Sequence, residues 1–335
     1  MAVTLPTIVR DILTHPRGAA TVAILPLLLA LYRVLKKPRR PFKVPKSGER
    51  VLIIGASSGI GRTVARQYAE RGAKVCVTGR REALLQEVET ECRSAGESLS
   101  TQKSDVLAVV GDFSDVEDMV RLRSVIEAEW NGLDTLVVAA GVSALQPLMA
   151  VAGVEPHPRS PNLPQATKED IQRTVDVAAA ATRGNFVGPL VAAVTFVPLL
   201  TNTSKSPSIL LVNSLASLIP PPTRTLYGST KASSLVLYQA LSVEHPRIAF
   251  SFFVPSTVEG DFRASAVDSG PVRELDPNKY GLKREDVARR CITAVDNQEK
   301  TVFMPGLMRY AHLLYWLWPS FIEGKASKKY NFTPS

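Results

Sequence analysis

The sequence predicts an α/β fold, a doubly wound parallel sheet in a single domain, preceded by an N-terminal transmembrane helix. Three observations predict it. Short apolar runs of strand length recur along the chain and alternate with helix-period segments. The first run, Val51-Leu-Ile-Ile54, breaks at a Gly-rich turn, Gly55-Ala-Ser-Ser-Gly-Ile-Gly61, and an apolar-periodic helix follows from Ile60. Ahead of all this, Gly18 to Leu35 is apolar except for Thr21 and Arg33. The chain has 335 residues, no internal repeat and no Pro/Gly/Ser linker, so one large core is expected over residues 50–305.

Residues 1–17 form a short tail, and 18–35 nearly spans a hydrocarbon core of ~30 Å if Arg33 snorkels. Three readings compete: a membrane anchor, a cleaved signal peptide and a buried soluble helix. The flank favours the anchor, since a basic cluster in residues 36–49 follows the run as a stop-transfer segment would. Arg33, Lys36, Lys37, Arg39, Arg40, Lys43 and Lys46 carry no acid among them and account for most of the net charge of +9. This is a local basic flank, not a nucleic-acid face. The positive-inside rule then puts the domain in the cytosol as a single-pass protein, and the short run suits the endoplasmic reticulum.

Cys76, Cys92 and Cys291 are odd in number and lack C-x-x-C spacing, and the four histidines are scattered, so neither a disulfide framework nor a metal site is expected. In the Gly-rich turn, Gly55 permits the tight turn, Gly59 lets backbone N–H groups approach a diphosphate, and Gly61 lets helix pack on strand. Ser57 and Ser58 offer hydroxyl donors, and Ile60 opens the helix. Lys74-Val-Cys-Val-Thr78 is a second strand, ending in Gly79-Arg80-Arg81 where an NAD-binding chain has an acid. A guanidinium suits a 2′-phosphate, so NADP(H) is the expected cofactor. Arg80 is the main candidate and Arg62 the second, with Arg81 and Arg62 alternatively solvated first-turn charges.

Ala108 to Asp112-Phe113 is a third strand ending in an acid that fits either an adenine contact or a helix cap. Leu136-Val-Val-Ala-Ala140-Gly141 is a fourth, ending in small residues beside which the ribose and nicotinamide must pass. Ser208 to Ser214 is a fifth, ending in a hydroxyl. Tyr227 and Lys231 then lie one helical turn apart on one face. A free phenol has a pKa of ~10; a neighbouring ammonium favours the phenolate, so Tyr227 can exchange a proton with an alkoxide. Lys231 also holds the nicotinamide ribose, and Ser214 orients the substrate oxygen.

In this order the residues resemble the short-chain dehydrogenase/reductase family, across roughly residues 50–305. The matches are the glycine triad, the Asp112 position, Ala140-Gly141, Ser214 and Tyr227-x-x-x-Lys231, and Asn185-Phe-Val-Gly188 is similar to the family's helix asparagine motif. The resemblance implies a Rossmann-like sheet, NAD(P)(H) and the catalytic tetrad Asn185, Ser214, Tyr227 and Lys231. Phe113, Pro255 and Val258 complete the implied cofactor-binding set. Two departures stand out. Ala139-Ala140 replaces the family's asparagines. Pro255-Ser-Thr-Val258 replaces its Pro-Gly and threonine, so Thr257 or Val258 takes that contact through the backbone.

Two segments at the ligand-binding side read as lids: Pro-rich 151–166, for which a surface insertion without a role is the alternative, and 260–283. In 306–335 the aromatic run Met308–Ile322 is followed by Lys325, Lys328 and Lys329. It fits a membrane interface, or equally a packing or dimer contact. The expected partners are thus a lipophilic small-molecule substrate, membrane lipids and a second copy of the chain, with no nucleic acid. The function read from these features is an NADP(H)-dependent carbonyl reductase or alcohol dehydrogenase; the alternative is a cofactor-binding scaffold or redox sensor that has kept the fold.

Overall fold

The structure, a computed structural model, describes residues 40–97, 105–154 and 163–333, together with Leu28 and Tyr32. Apart from those two positions, the expected tail and anchor (1–35) lie outside the described residues, as do Pro156, Pro158 and Pro161 of the first lid.

Seven strands form one all-parallel sheet: β1 (Arg50–Ile54), β2 (Lys74–Gly79), β3 (Val106–Val110), β4 (Thr135–Val138), β5 (Ser208–Val212), β6 (Ala249–Pro255) and β7 (Thr301–Met304). Their order is β3-β2-β1-β4-β5-β6-β7. The chain starts in the middle, builds outward to β3, then returns to β4 and builds the other way. The reversal opens a crevice between the ends of β1 and β4, where such sheets hold ligands. The six strands expected from the sequence are present, and β7 extends them.

Both faces of the sheet are covered, which is why its strands read as unbroken apolar runs. Within β1, Val51 and Ile53 face one core cluster, and Leu52 and Ile54 face the other. The helices α1 (Gly59–Glu70), α2 (Glu82–Glu97), α3 (Val116–Trp130), α4 (Lys168–Thr182), α5 (Gly188–Thr203), α6 (Thr225–Glu244) and α7 (Arg284–Asp296) connect the strands. The first, second and seventh supply Val64, Leu85 and Val287 to one cluster; the third, fifth and sixth supply Met119, Phe196 and Leu235 to the other. Two further helices, α8 (Met308–Leu317) and α9 (Pro319–Lys329), follow β7.

One expectation about the basic flank is corrected. Arg40 does not belong to a solvated linker. It opens a helical turn, Arg40–Lys43, and is 1% exposed. Its Nη1 donates to Glu49 at 2.6 Å and its Nη2 to the Thr135 hydroxyl at 2.6 Å. Glu49, next to β1, supplies the buried carboxylate that draws this one arginine into the fold. Among the described residues, one stretch, Lys168–Thr203, is long and apolar enough to cross a membrane. Over half of its apolar window is buried against the domain, so it is a core helix and not the expected anchor.

Candidate active site

The turn between β1 and α1 is shaped to hold an anion. Gly55 has φ +86°, and a Cβ there would lie 2.5 Å from the Ala140 nitrogen, so the ends of β1 and β4 touch only because no side chain stands between them. Gly59 has φ +57° with nothing within 4 Å of where its Cβ would be, which leaves open space above the helix start. Ser58 caps α1 in extended backbone but makes no side-chain cap bond, so the first N–H groups of the helix keep their donors. Ile60 packs against the core beneath.

The hydroxyls of Ser57 and Ser58 instead meet Arg81, whose Nη2 donates to them at 2.9 and 2.8 Å. This brings the second strand's end onto the turn. Arg80, the main candidate from sequence, is largely exposed and lies 4.0 Å from Asp112. Arg62 is taken up by Glu87 and Glu91. Of the three arginines, Arg81 is the one the fold places on the turn's hydroxyls. The first N–H groups of α1, the two serine hydroxyls and Arg81 together suit the phosphates of a dinucleotide.

Asp112 lies two residues beyond β3. One of its oxygens accepts from the Ser114 N–H and hydroxyl at 2.9 and 2.7 Å, while Asp115 caps α3. The Phe113 ring packs on Gly188, where a Cβ would come within 2.2 Å of it. Pro255 ends β6 opposite Met304. Val258 bridges Leu282 in parallel and packs against the same core cluster as Ile60 and Ala139.

Asn185 is fully buried and clasps the loop after β4. Its Oδ1 accepts from the Val142 N–H at 2.9 Å, and its Nδ2 donates to the Val142 carbonyl and the Thr230 hydroxyl, both at 3.0 Å. Gly141 has no Cβ because Asn185 Oδ1 would lie 2.8 Å from it. The helix is wide here: Arg183–Val187 is a π turn in which the Gly188 N–H donates to the Arg183 carbonyl. Pro189 is the cause. It has no N–H for the carbonyl of Asn185, four residues back, and its ring would strike that carbonyl in a regular helix.

Ser214 meets Tyr227, and Lys231 lies one turn further along the same helix. Ser214 lies just past β5, and its hydroxyl lies at the Tyr227 phenol, where its hydrogen bond draws the pKa down. Burial pushes that pKa up more strongly, and the charges of Arg224 and Arg263 oppose the rise. This differs from the expectation that Lys231 supplies the neighbouring charge. Lys231 Nζ instead donates to the Val212 carbonyl at 2.8 Å, and burial lowers its pKa to about 8. Asn213, which sequence reasoning passed over, donates through Nδ2 to the Lys231 carbonyl at 3.0 Å. Two bonds thus lock the helix of the Tyr/Lys pair in register with β5.

The second lid does cover the site. Phe262 meets the Tyr227 ring edge-on with centroids 5.8 Å apart. Asp268 accepts from the Leu145 and Gln146 N–H groups at 2.6 and 2.8 Å, tying the lid to the loop after β4. Arg224, three residues before Tyr227, is the keystone. It donates to the Ser143 hydroxyl at 2.9 Å, pairs with Glu274 of the lid, and lies under the Tyr330 ring at 5.8 Å. The tail therefore reaches the site. No motif marks Arg224; an arginine after three prolines and a threonine looks like an ordinary loop residue.

A family model described as short chain dehydrogenase matches residues 49–269, and the chain belongs to that family of oxidoreductases, which act on hydroxyl and carbonyl groups. It is 27% identical to 11-beta-hydroxysteroid dehydrogenase A of Sesamum indicum over 82% of this chain and 72% of that protein. It is 26% identical to Dehydrogenase/reductase SDR family member 7B of Danio rerio over 91% of each. It is 30% identical to 11-beta-hydroxysteroid dehydrogenase-like 4A of Arabidopsis thaliana, over 64% of this chain and 62% of that relative. Two solved structures share the fold. A short chain dehydrogenase/reductase from Burkholderia phymatum in complex with NAD has a TM-score of 0.66 at 17% identity, covering 86% of this chain and 97% of its own. An alcohol dehydrogenase from Thermococcus sibiricus complexed with 5-hydroxy-NADP has a TM-score of 0.59 at 20% identity, covering 77% and 95%.

Proposed function

We propose that this chain is an NADP(H)-dependent carbonyl reductase or alcohol dehydrogenase acting on a lipophilic ketone, aldehyde or alcohol at a membrane. The observation that carries the reading is the Ser214 hydroxyl at the Tyr227 phenol, with Lys231 on the same helix and the Gly55–Gly61 turn at the end of β1, one strand beyond β4. The turn, Arg81 and Lys231 would hold the cofactor, which would supply or accept the hydride. Ser214 fixes the substrate oxygen beside the Tyr227 phenol. Tyr227 gives its proton to the developing alkoxide in reduction and takes it back in oxidation. Lys231, whose Nζ donates to the Val212 carbonyl, would hold the ribose of the bound cofactor. The lid residue Phe262 excludes water from the reacting atoms.

NADP(H) is favoured over NAD(H) because Arg81 meets two hydroxyls where an acid would be needed for a free 2′-hydroxyl. Contact with lipid is favoured by the tail. Tyr310, Leu313, Trp316, Leu317 and Trp318 are all more than half exposed, and Lys325 and Lys328 follow on α9. The expected single-pass anchor at 18–35 would likewise bring the chain to a bilayer. The endoplasmic reticulum, with the domain in the cytosol, is the location this reading assigns.

The test uses the full chain in neutral detergent, NADPH and a panel of lipophilic ketones and aldehydes, with NADPH oxidation followed by absorbance. Tyr227→Phe is expected to lower kcat by about 10³-fold while NADPH binding persists. NADPH binding without turnover of any carbonyl would favour a scaffold, and turnover unaffected by Tyr227→Phe would overturn the mechanism.

A further inference from the structure

Beside Tyr227 lies a cluster of charges that the hydride-transfer chemistry does not use. Glu274 of the lid is its one carboxylate, with a side chain 5% exposed. Arg224 and Arg263 both pair with it. Lys329, on the outer side of the tail, lies within electrostatic reach of all three. Asp268, the other buried acid of the lid, is spent on the Leu145 and Gln146 N–H groups. Positive charge is therefore in excess at the mouth of the site.

The two arginines differ in how their donors are used. Arg224 is satisfied: Nη1 donates to the Ser143 hydroxyl and the Ala144 carbonyl, and Nη2 to Glu274. Arg263 is not. Its side chain is 12% exposed, its one ionic contact is Nε to Glu274 at 3.5 Å, and that Nε has no hydrogen-bond partner among the described residues. A guanidinium carries five donors in a planar fork. The neighbouring residue, Phe262, touches the Tyr227 ring, and the Arg263 charge lies within electrostatic reach of the phenol.

We propose that Arg263, backed by Arg224 and Lys329, binds an anionic group of the lipophilic substrate, a carboxylate or a phosphate monoester. The fork geometry fits both, and each would supply the acceptors that Arg263 lacks. The substrate is then an acidic amphiphile whose carbonyl or hydroxyl lies at Tyr227 and whose charge lies under the lid. The inference rests on the oxidoreductase reading for the meaning of substrate, but the anion site is tested by binding alone.

The experiment titrates the full chain, in neutral detergent with saturating NADP⁺, with dodecanoate, dodecyl phosphate and dodecanol by calorimetry. Wild type is expected to bind at least one of the two anions ~10-fold or more tighter than the alcohol. In Arg263→Gln that ratio is expected to fall to about one, and Arg263→Lys is expected to keep part of it, because the charge remains and the fork does not. A preference for dodecyl phosphate alone assigns the head group to phosphate; a shared preference assigns it to anions in general. Equal binding of acids and alcohol by wild type, or a preference that survives Arg263→Gln, overturns the proposal. The hydride-transfer reading fails separately, by loss of NADPH binding or by turnover indifferent to Tyr227→Phe.

Discussion

Two clusters of buried arginine stand at opposite ends of the sheet, and they are not built alike. At the strand beginnings, Arg40 and Arg71 share Glu49, and Arg71 also holds Asp296 at 2.9 Å. Every nitrogen of Arg40 is hydrogen-bonded, to Glu49, Thr135 and the carbonyls of Asp134 and Ser206. Two acids answer two arginines. At the strand ends, Glu274 alone answers Arg224 and Arg263, and the second arginine is left with idle donors. Arg71 too leaves its Nε without a hydrogen-bond partner among the described residues, so the two ends differ in their acids: two answer two arginines at the base, and one answers two beside the phenol.

The comparison can be broken by removing each acid and reading stability. Glu49→Gln leaves two arginines facing a neutral group in a site with no room to open. It is expected to cost about 3–5 kcal/mol, measured as a fall in the urea midpoint. A cost below about 1 kcal/mol would show that the base cluster is not what holds the domain's lower end.

A third buried cation sharpens the scale. Among the described residues no carboxylate pairs with Lys231, and burial lowers its pKa from 10.5 to about 8. A lysine with a lowered folded-state pKa is bound by more protons when unfolded, so its burial penalty is present at low pH and is relieved as pH rises through this window. Lys231→Met is therefore expected to be more stable than wild type at pH 7, by up to about 3 kcal/mol, with the difference vanishing by pH 10.5. Paired urea unfolding curves of the two proteins across pH 7 to 10.5 would show it, since other titrating groups cancel. A gap that widens with pH would contradict the assignment.

Glu274→Gln is expected to cost less, about 1 kcal/mol or under, because the lid can open locally and let water reach the arginines. Proteolysis of the lid should accelerate even where global unfolding does not. The smallest stability effect is expected at Arg81, which is exposed and held by hydroxyls alone: Arg81→Ala should stay within about 0.5 kcal/mol of wild type. Its effect belongs to binding instead, where the preference for NADPH over NADH should fall ~10-fold or more by fluorescence titration.

What the sequence made legible follows from locality. The Gly-rich turn, Ser214 and the Tyr227/Lys231 pair are set by spacing within one turn or at one strand end, and each lies where its pattern placed it. The arginine on the turn was harder to read. Arg80 and Arg81 are adjacent, and which of them meets Ser57 depends on where β2 stops, one residue later than its apolar pattern does. Arg40 was read as part of a solvated run because its partner Glu49 lies outside that run, and its remaining partners are distant in sequence. The Arg224, Arg263 and Glu274 cluster joins a loop, a lid and a tail, and nothing in local pattern reports such a meeting. A proline four residues after Asn185 was a usable signal for the π turn.

That wide turn acts as a phase shifter. One added residue rotates everything after it by about 100° relative to everything before it. The stretch from Lys168 to Thr203 therefore docks differently on the two sides of the turn. Within the turn, Asn185 is aimed at Val142 and Thr230. After it, Gly188 receives the Phe113 ring and the Pro189 carbonyl accepts from the Tyr238 hydroxyl at 2.7 Å. Deleting one residue from the turn would restore a regular helix and spoil both docking faces together, so the spacing between Asn185 and Gly188 is as much a part of the site as either residue.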